Sequence, residues 1–124
     1  MKIFNKIENF KTKVNFVDDN NVVLGYDIEQ QCCEKANWFI SDTIDPKSGY
    51  QVVDLPNYNF DVRFIREDYR QRNSPKLEDT NTVIFRITNG VDEKFIFLCN
   101  THNGYYRHGF DFDVGGVPMY VGEM

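Results

Sequence analysis

The sequence predicts a β-rich α+β domain, an antiparallel sheet or meander of about five to seven strands with one or two short helices. Three observations carry this. Short segments alternate apolar and polar residues with a period of two. Asx- and Gly-rich turn chemistry separates them, as in Asp18-Asp19-Asn20-Asn21, Asn89-Gly90, Asn103-Gly104 and Gly115-Gly116. The aromatic residues, 15% of the chain and mostly Phe (11) and Tyr (7), favour half-buried pleated surfaces. A length of 124 residues fits a single globular domain over 1–124 with one substantial core.

The first clear element is a hairpin from about Lys11 to Glu29. Val14 and Phe16 alternate with polar residues, as do Val22, Leu24, Tyr26 and Ile28. A two-residue loop at Asn20-Asn21 sets Phe16 against Gly25 and mixes the faces. A three-residue loop, Asp19–Asn21, sets Phe16 against Leu24 and Val14 against Tyr26. Because register follows the buried face, the three-residue loop is expected, with Asn in the left-handed conformation.

From Gln30 to Asn37 the residues tolerate a short helix, and Trp38-Phe39-Ile40 continues as an extended apolar segment. Pro46 and Gly49 punctuate a surface loop. Tyr50–Leu55 and Phe60–Ile65 follow as short strands, the first ended by Pro56. The stretch Arg66–Asn81 lacks an apolar period and has room for a short helix over Glu67–Arg72. Thr82–Thr88, Lys94–Thr101 and Tyr105–Val114 are the clearest strands. The last two are expected to form a hairpin about Asn103-Gly104, the dipeptide best suited to a two-residue turn. Val117–Val121 returns as an edge strand that accommodates Pro118.

Charge and composition narrow the function. A net charge of −5 opposes the basic footprint of nonspecific nucleic-acid binding. The chain has no apolar run long enough to span a membrane, and no continuous apolar segment of a signal peptide near its start. The expected setting is cytoplasmic, with the three cysteines reduced. Adjacent Cys32 and Cys33 seldom bridge, because the geometry is strained.

The densest concentration of chemistry is Lys94–Val114, which holds both histidines and Cys99. In the expected hairpin His102 pairs with Tyr105, Asn100 with Arg107 and Cys99 with His108. Side chains alternate in strands, so Cys99 and His102 point to opposite faces and cannot chelate as a local unit. Cys99 and His108 go with Phe95, Phe97, Phe110 and Phe112 toward the core. A weak metal alternative joins them with Cys32 and Cys33. These groups also define the rival enzyme reading, a thiol- or metal-dependent catalyst, although Glu29 and Glu34 oppose a reactive thiolate at Cys32-Cys33. The opposite, polar face carries Asn100, His102, Tyr105 and Arg107. With Arg63 and Arg66 it is the candidate surface for a protein or an anionic small molecule. No catalytic set and no cofactor is expected; a homo-oligomer is compatible with an exposed aromatic sheet face.

Two blocks, Gln30–Glu34 and Asn103–Tyr106 with Phe110-Asp111-Phe112 after it, resemble a family of small uncharacterised proteins of phages, prophages and gut bacteria. That family carries a Gln-x-Cys-Cys-Glu element early and an Asn-Gly-Tyr-Tyr hairpin late, and often has an acid where this chain has Gln31. The resemblance implies a mobile-element setting and brings no catalytic residues. The expected function is a non-enzymatic binding or interaction protein. Beside the enzyme, a further reading is a phage counter-defence protein that sequesters a nucleotide signal or inhibits a host system.

Overall fold

The computed structural model describes residues 1–29, 35–46, 48–70, 79–102 and 108–123. These form nine strands: β1 (Lys2–Glu8), β2 (Lys11–Val17), β3 (Val22–Asp27), β4 (Lys35–Ser41), β5 (Asn59–Arg70), β6 (Asp79–Thr88), β7 (Glu93–His102), β8 (Gly109–Val114) and β9 (Val117–Glu123). They make two antiparallel sheets, a five-stranded one in the order β1-β2-β3-β8-β9 and a four-stranded one in the order β4-β7-β6-β5. In the second sheet β5, β6 and β7 follow one another, and β4 lies beside β7, a Greek-key order.

The β2–β3 hairpin has the register that its apolar face requires. Val14 pairs with Tyr26 and Phe16 with Leu24, and Asn21 closes the loop at φ 60°. Asn tolerates that conformation because its short side chain bonds locally. At the far edge Gly115 and Gly116, both at positive φ, join Val114 to Val117 through a two-residue turn. β9 is an edge strand, and Pro118 sits in it beside a register shift.

Between the sheets lies the main core. Ile3, Val14, Phe16, Leu24, Tyr26, Phe110 and Phe112 come from the first sheet; Trp38, Ile40, Val83, Phe85, Ile87, Ile96 and Leu98 come from the second. Aromatic rings lock the two together. Phe16 meets Trp38 edge-on at 5.0 Å, and Phe112 meets Phe60 at 5.1 Å and Phe85 at 5.2 Å. Asp18 fastens the same join in polar terms. Its Oδ1 accepts from the amides of Asn20 and Val22, and its Oδ2 accepts from Phe60 in the opposite sheet, each at 2.9 Å.

A second apolar cluster occupies the other face of the four-stranded sheet. Ile84, Phe95 and Phe97 are buried there, with Phe39, Ile44, Phe64 and Cys99 packed on them. Phe39 stacks on Phe97 at 4.7 Å, and Gly49 lies so close over Phe39 that a Cβ there would collide with the ring.

The architecture is thus a two-sheet β sandwich with nine described strands, not an α+β meander of five to seven, and it corrects further sequence expectations. Strands β7 and β8 do not pair: β7 lies between β4 and β6, and β8 between β3 and β9, in different sheets. The reason is visible in Phe95-Ile96-Phe97-Leu98, which is buried on both faces and therefore belongs in the middle of a covered sheet. No helix occurs among the described residues. Lys35–Asn37 are strand, and β5 runs unbroken through Glu67–Arg70, where pairing with β6 outweighs the local tolerance for a helical turn. Tyr50–Leu55 contributes only the isolated bridges Ile40–Tyr50 and Lys2–Asp54. Finally, β1 is a full strand that its irregular alternation did not announce.

Candidate functional site

One end of the sandwich is where the connections are long. The chain leaves β3 and returns in β4 there (28–34), leaves β5 and returns in β6 (71–78), and leaves β7 and returns in β8 (103–108). The short turn 9–10 shares this end; the opposite end has short turns at 19–21, 89–92 and 115–116, and the chain leaves β4 and enters β5 there. The other long connection, 42–58, is tied along the sandwich by its two bridges.

A polar cluster holds the loop end together. Tyr26 reaches across the core and its hydroxyl donates to the Cys99 carbonyl at 2.9 Å, joining β3 to β7. His108, almost completely buried, places Nδ1 2.9 Å from the Asp27 carbonyl, joining the chain before β8 to the end of β3. A carbonyl oxygen only accepts, so in this contact Nδ1 is the donor. The Asp27 carboxylate takes the Glu29 amide on Oδ1 at 2.9 Å and faces Lys11 Nζ from Oδ2 at 3.6 Å. Glu29 in turn accepts from the Thr12 amide at 2.9 Å, and the Ile28 amide donates to the Thr12 carbonyl at 3.0 Å. Asp27 and Glu29 are therefore capping groups that fix where β3 ends.

Beside this cluster, Lys13 Nζ bonds Asp111 at 2.9 Å. The carboxylate lies over Gly25, where a Cβ would come within 3.0 Å of its Oδ1. Burial works against the Lys13 ammonium, but the hydrogen bond and the charges of Asp111, Glu8 and Asp27 outweigh it and raise its pKa. The missing side chain at Gly25 is thus the condition for a cross-strand ion pair spanning β2, β3 and β8.

Those of the singled-out residues that are described are not gathered in one place. Asn100 is buried within the sandwich rather than displayed on a polar face. Arg63 and Arg66 lie exposed on β5, with Arg66 opposite Ile84. His102 stands opposite Asp79 at the last pair of β7. Tyr105, Arg107, Cys32 and Cys33 lie outside the described residues, as does the Asn103-Gly104 turn. Cys99 and His108 belong to different layers: Cys99 packs with the outer cluster of the four-stranded sheet, and His108 sits at the mouth of the main core. Burial pushes the Cys99 thiol above its ordinary pKa, against a smaller opposing effect of its hydrogen bond with Thr82. A raised thiol pKa is the reverse of what a nucleophile or metal ligand needs. Among the described residues no group of three or more His, Cys, Asp and Glu side chains is placed to hold a metal ion, and no helix is long and apolar enough to cross a membrane.

Sequence reasoning did not single out Asp27 or Lys11 as site residues. Tyr26-Asp27-Ile28-Glu29 continues the apolar alternation of the strand, so both acids read as ordinary polar-face residues and no signal marked them. Comparison with protein-family models, with curated proteins and with solved structures finds no match.

Proposed function

We propose that this protein is a non-enzymatic binding module whose recognition surface is the loop end of the sandwich. The observation that carries the reading is the asymmetry of the two ends. Three of the four long connections leave from one end, around a hydrogen-bonded cluster of Tyr26, Asp27, Glu29 and His108, while the fourth, 42–58, starts at the other end and is tied back by its bridges. A sandwich with variable connections on a rigid frame is a general solution for recognition, because loops carry contacts without disturbing the core. The thiol of Cys99, packed on the outer cluster with its pKa raised by burial, is a poor nucleophile at that position. The resemblance to small phage and prophage proteins favours a protein partner from a host system.

The test is native mass spectrometry of the gently purified protein and a pull-down from host lysate, repeated with Lys11→Glu at the loop end and Val91→Glu at the opposite end. Loss of the retained partner in Lys11→Glu alone supports the assignment. Equal loss in both variants, or a protein that retains nothing, contradicts it.

A further inference from the structure

The β1–β2 hairpin presents a conformational cost with no return inside the chain. Its turn is Asn9-Phe10, with φ of 54° and 64°. Asn accepts this conformation, but Phe is disfavoured there by contact between Cβ and the carbonyl. The Phe10 side chain is 100% exposed, so no packing within the chain offsets that strain, and Ile7 beside it is 76% exposed.

The same strand is a free sheet edge along half its length. The Met1–Ile3 portion is covered: the Ile3 amide donates to Val53 at 2.9 Å and Leu55 donates to Met1 at 2.8 Å. Because Ile3 directs its backbone outward, alternation directs Asn5 and Ile7 outward too. Among the described residues nothing pairs with that edge beyond Ile3. A free edge carrying exposed apolar side chains is a template for another strand.

We propose that two copies of this chain pair antiparallel through the free half of β1, about a two-fold axis at Ile7. Charge selects the register. Centring on Lys6 sets Lys6 against Lys6, and centring on Glu8 sets Glu8 against Glu8. Centring on Asn5 requires the edge at Ile3 that Val53 already occupies. Centring on Ile7 sets Lys6 opposite Glu8 of the second copy, twice, with Ile7 against Ile7 as a hydrogen-bonded pair. Phe10 lies in the turn beyond Glu8, outside the paired segment, and flanks the contact. The five-stranded sheet then runs on across both copies. This is an isologous contact that closes on itself. Its area, on the order of a few hundred Å² per copy, is at the low end for specific interfaces, so the dimer forms in proportion to concentration. The inference uses the β1 edge and does not rest on the loop-end reading.

Sedimentation velocity over a concentration series tests it with the full chain. The wild type is expected to move from monomer to dimer as concentration rises. Lys6→Glu and Glu8→Lys each place like charges across the axis and weaken the dimer about tenfold. The double swap Lys6→Glu/Glu8→Lys restores it, which separates pairing from any effect on folding. A wild type that stays monomeric at every concentration overturns the proposal. So does a dimer indifferent to the single swaps, or a double swap that fails to restore it.

Discussion

Asp18 and Phe10 show the opposite uses of a single residue. Asp18 is buried and accepts three backbone amides, two in its own loop and one from the facing sheet. Asp18→Ala leaves all three donors without that acceptor inside the protein, and a loss of roughly 2–4 kcal/mol is expected in chemical denaturation. Phe10 contributes nothing to the core and strains the backbone. Phe10→Gly is expected to raise stability by roughly 0.5–1 kcal/mol, the relieved strain less the greater entropy of glycine in the unfolded chain. Melting curves of the two variants should therefore shift in opposite directions. Cys99 gives a third expectation. In the folded protein at neutral pH its alkylation, followed by peptide mass spectrometry, should be at least about tenfold slower than in the unfolded chain, because the thiol is both covered and held in its protonated form.

At the scale of elements, the two hairpins that mattered most to the sequence reading came out differently, and the difference is physical. In β2–β3 one face is apolar and the other polar, so a single register buries the right residues, and Asn21 supplies the left-handed turn. That hairpin was legible to the residue. In β7 the run Phe95-Ile96-Phe97-Leu98-Cys99 is apolar at every position, so alternation cannot say which neighbours are cores and which are surfaces. Its two faces serve two different clusters, and the strand after it crosses to the other sheet. Asn100, expected on the polar face, is buried for that reason. β1 was missed because Asn9-Phe10 is not a recognisable turn dipeptide; only the exposure and φ of Phe10 explain it.

The connection after β4 is fastened by Lys94, which bonds Asp42 at 2.7 Å while Tyr50 donates to the same oxygen at 2.8 Å. The Lys94 hydrogen bond, then that of Tyr50, holds Asp42 below its ordinary 3.8. A carboxyl lowered in the folded state stabilises fully above its ordinary value and stops doing so as pH falls through the folded one. Asp42→Asn is accordingly expected to flatten the acid side of the stability profile below about pH 4 and leave the neutral region little changed, since the carboxylate is mostly exposed. Urea titrations between pH 2.5 and 7 provide the check.

For the whole molecule, the two sheets divide the labour. Their inner faces and the outer cluster of the four-stranded sheet hold the apolar residues, and the polar connections lie at the margins. The loop end offers long connections around Asp27 and His108, while the free half of β1 offers an edge and a strained aromatic. A non-local β topology of this kind folds slowly, in milliseconds to seconds, and strand β1 is the place where premature association competes.

The central claim is that recognition belongs to the loop end. Amide chemical-shift mapping of the isotope-labelled protein with its retained partner tests it directly. The account predicts shifts concentrated at Lys11–Lys13, Tyr26–Glu29 and His108, with the turns at 19–21, 89–92 and 115–116 unmoved. Shifts confined to those short turns, or to the exposed arginines of β5, would contradict it.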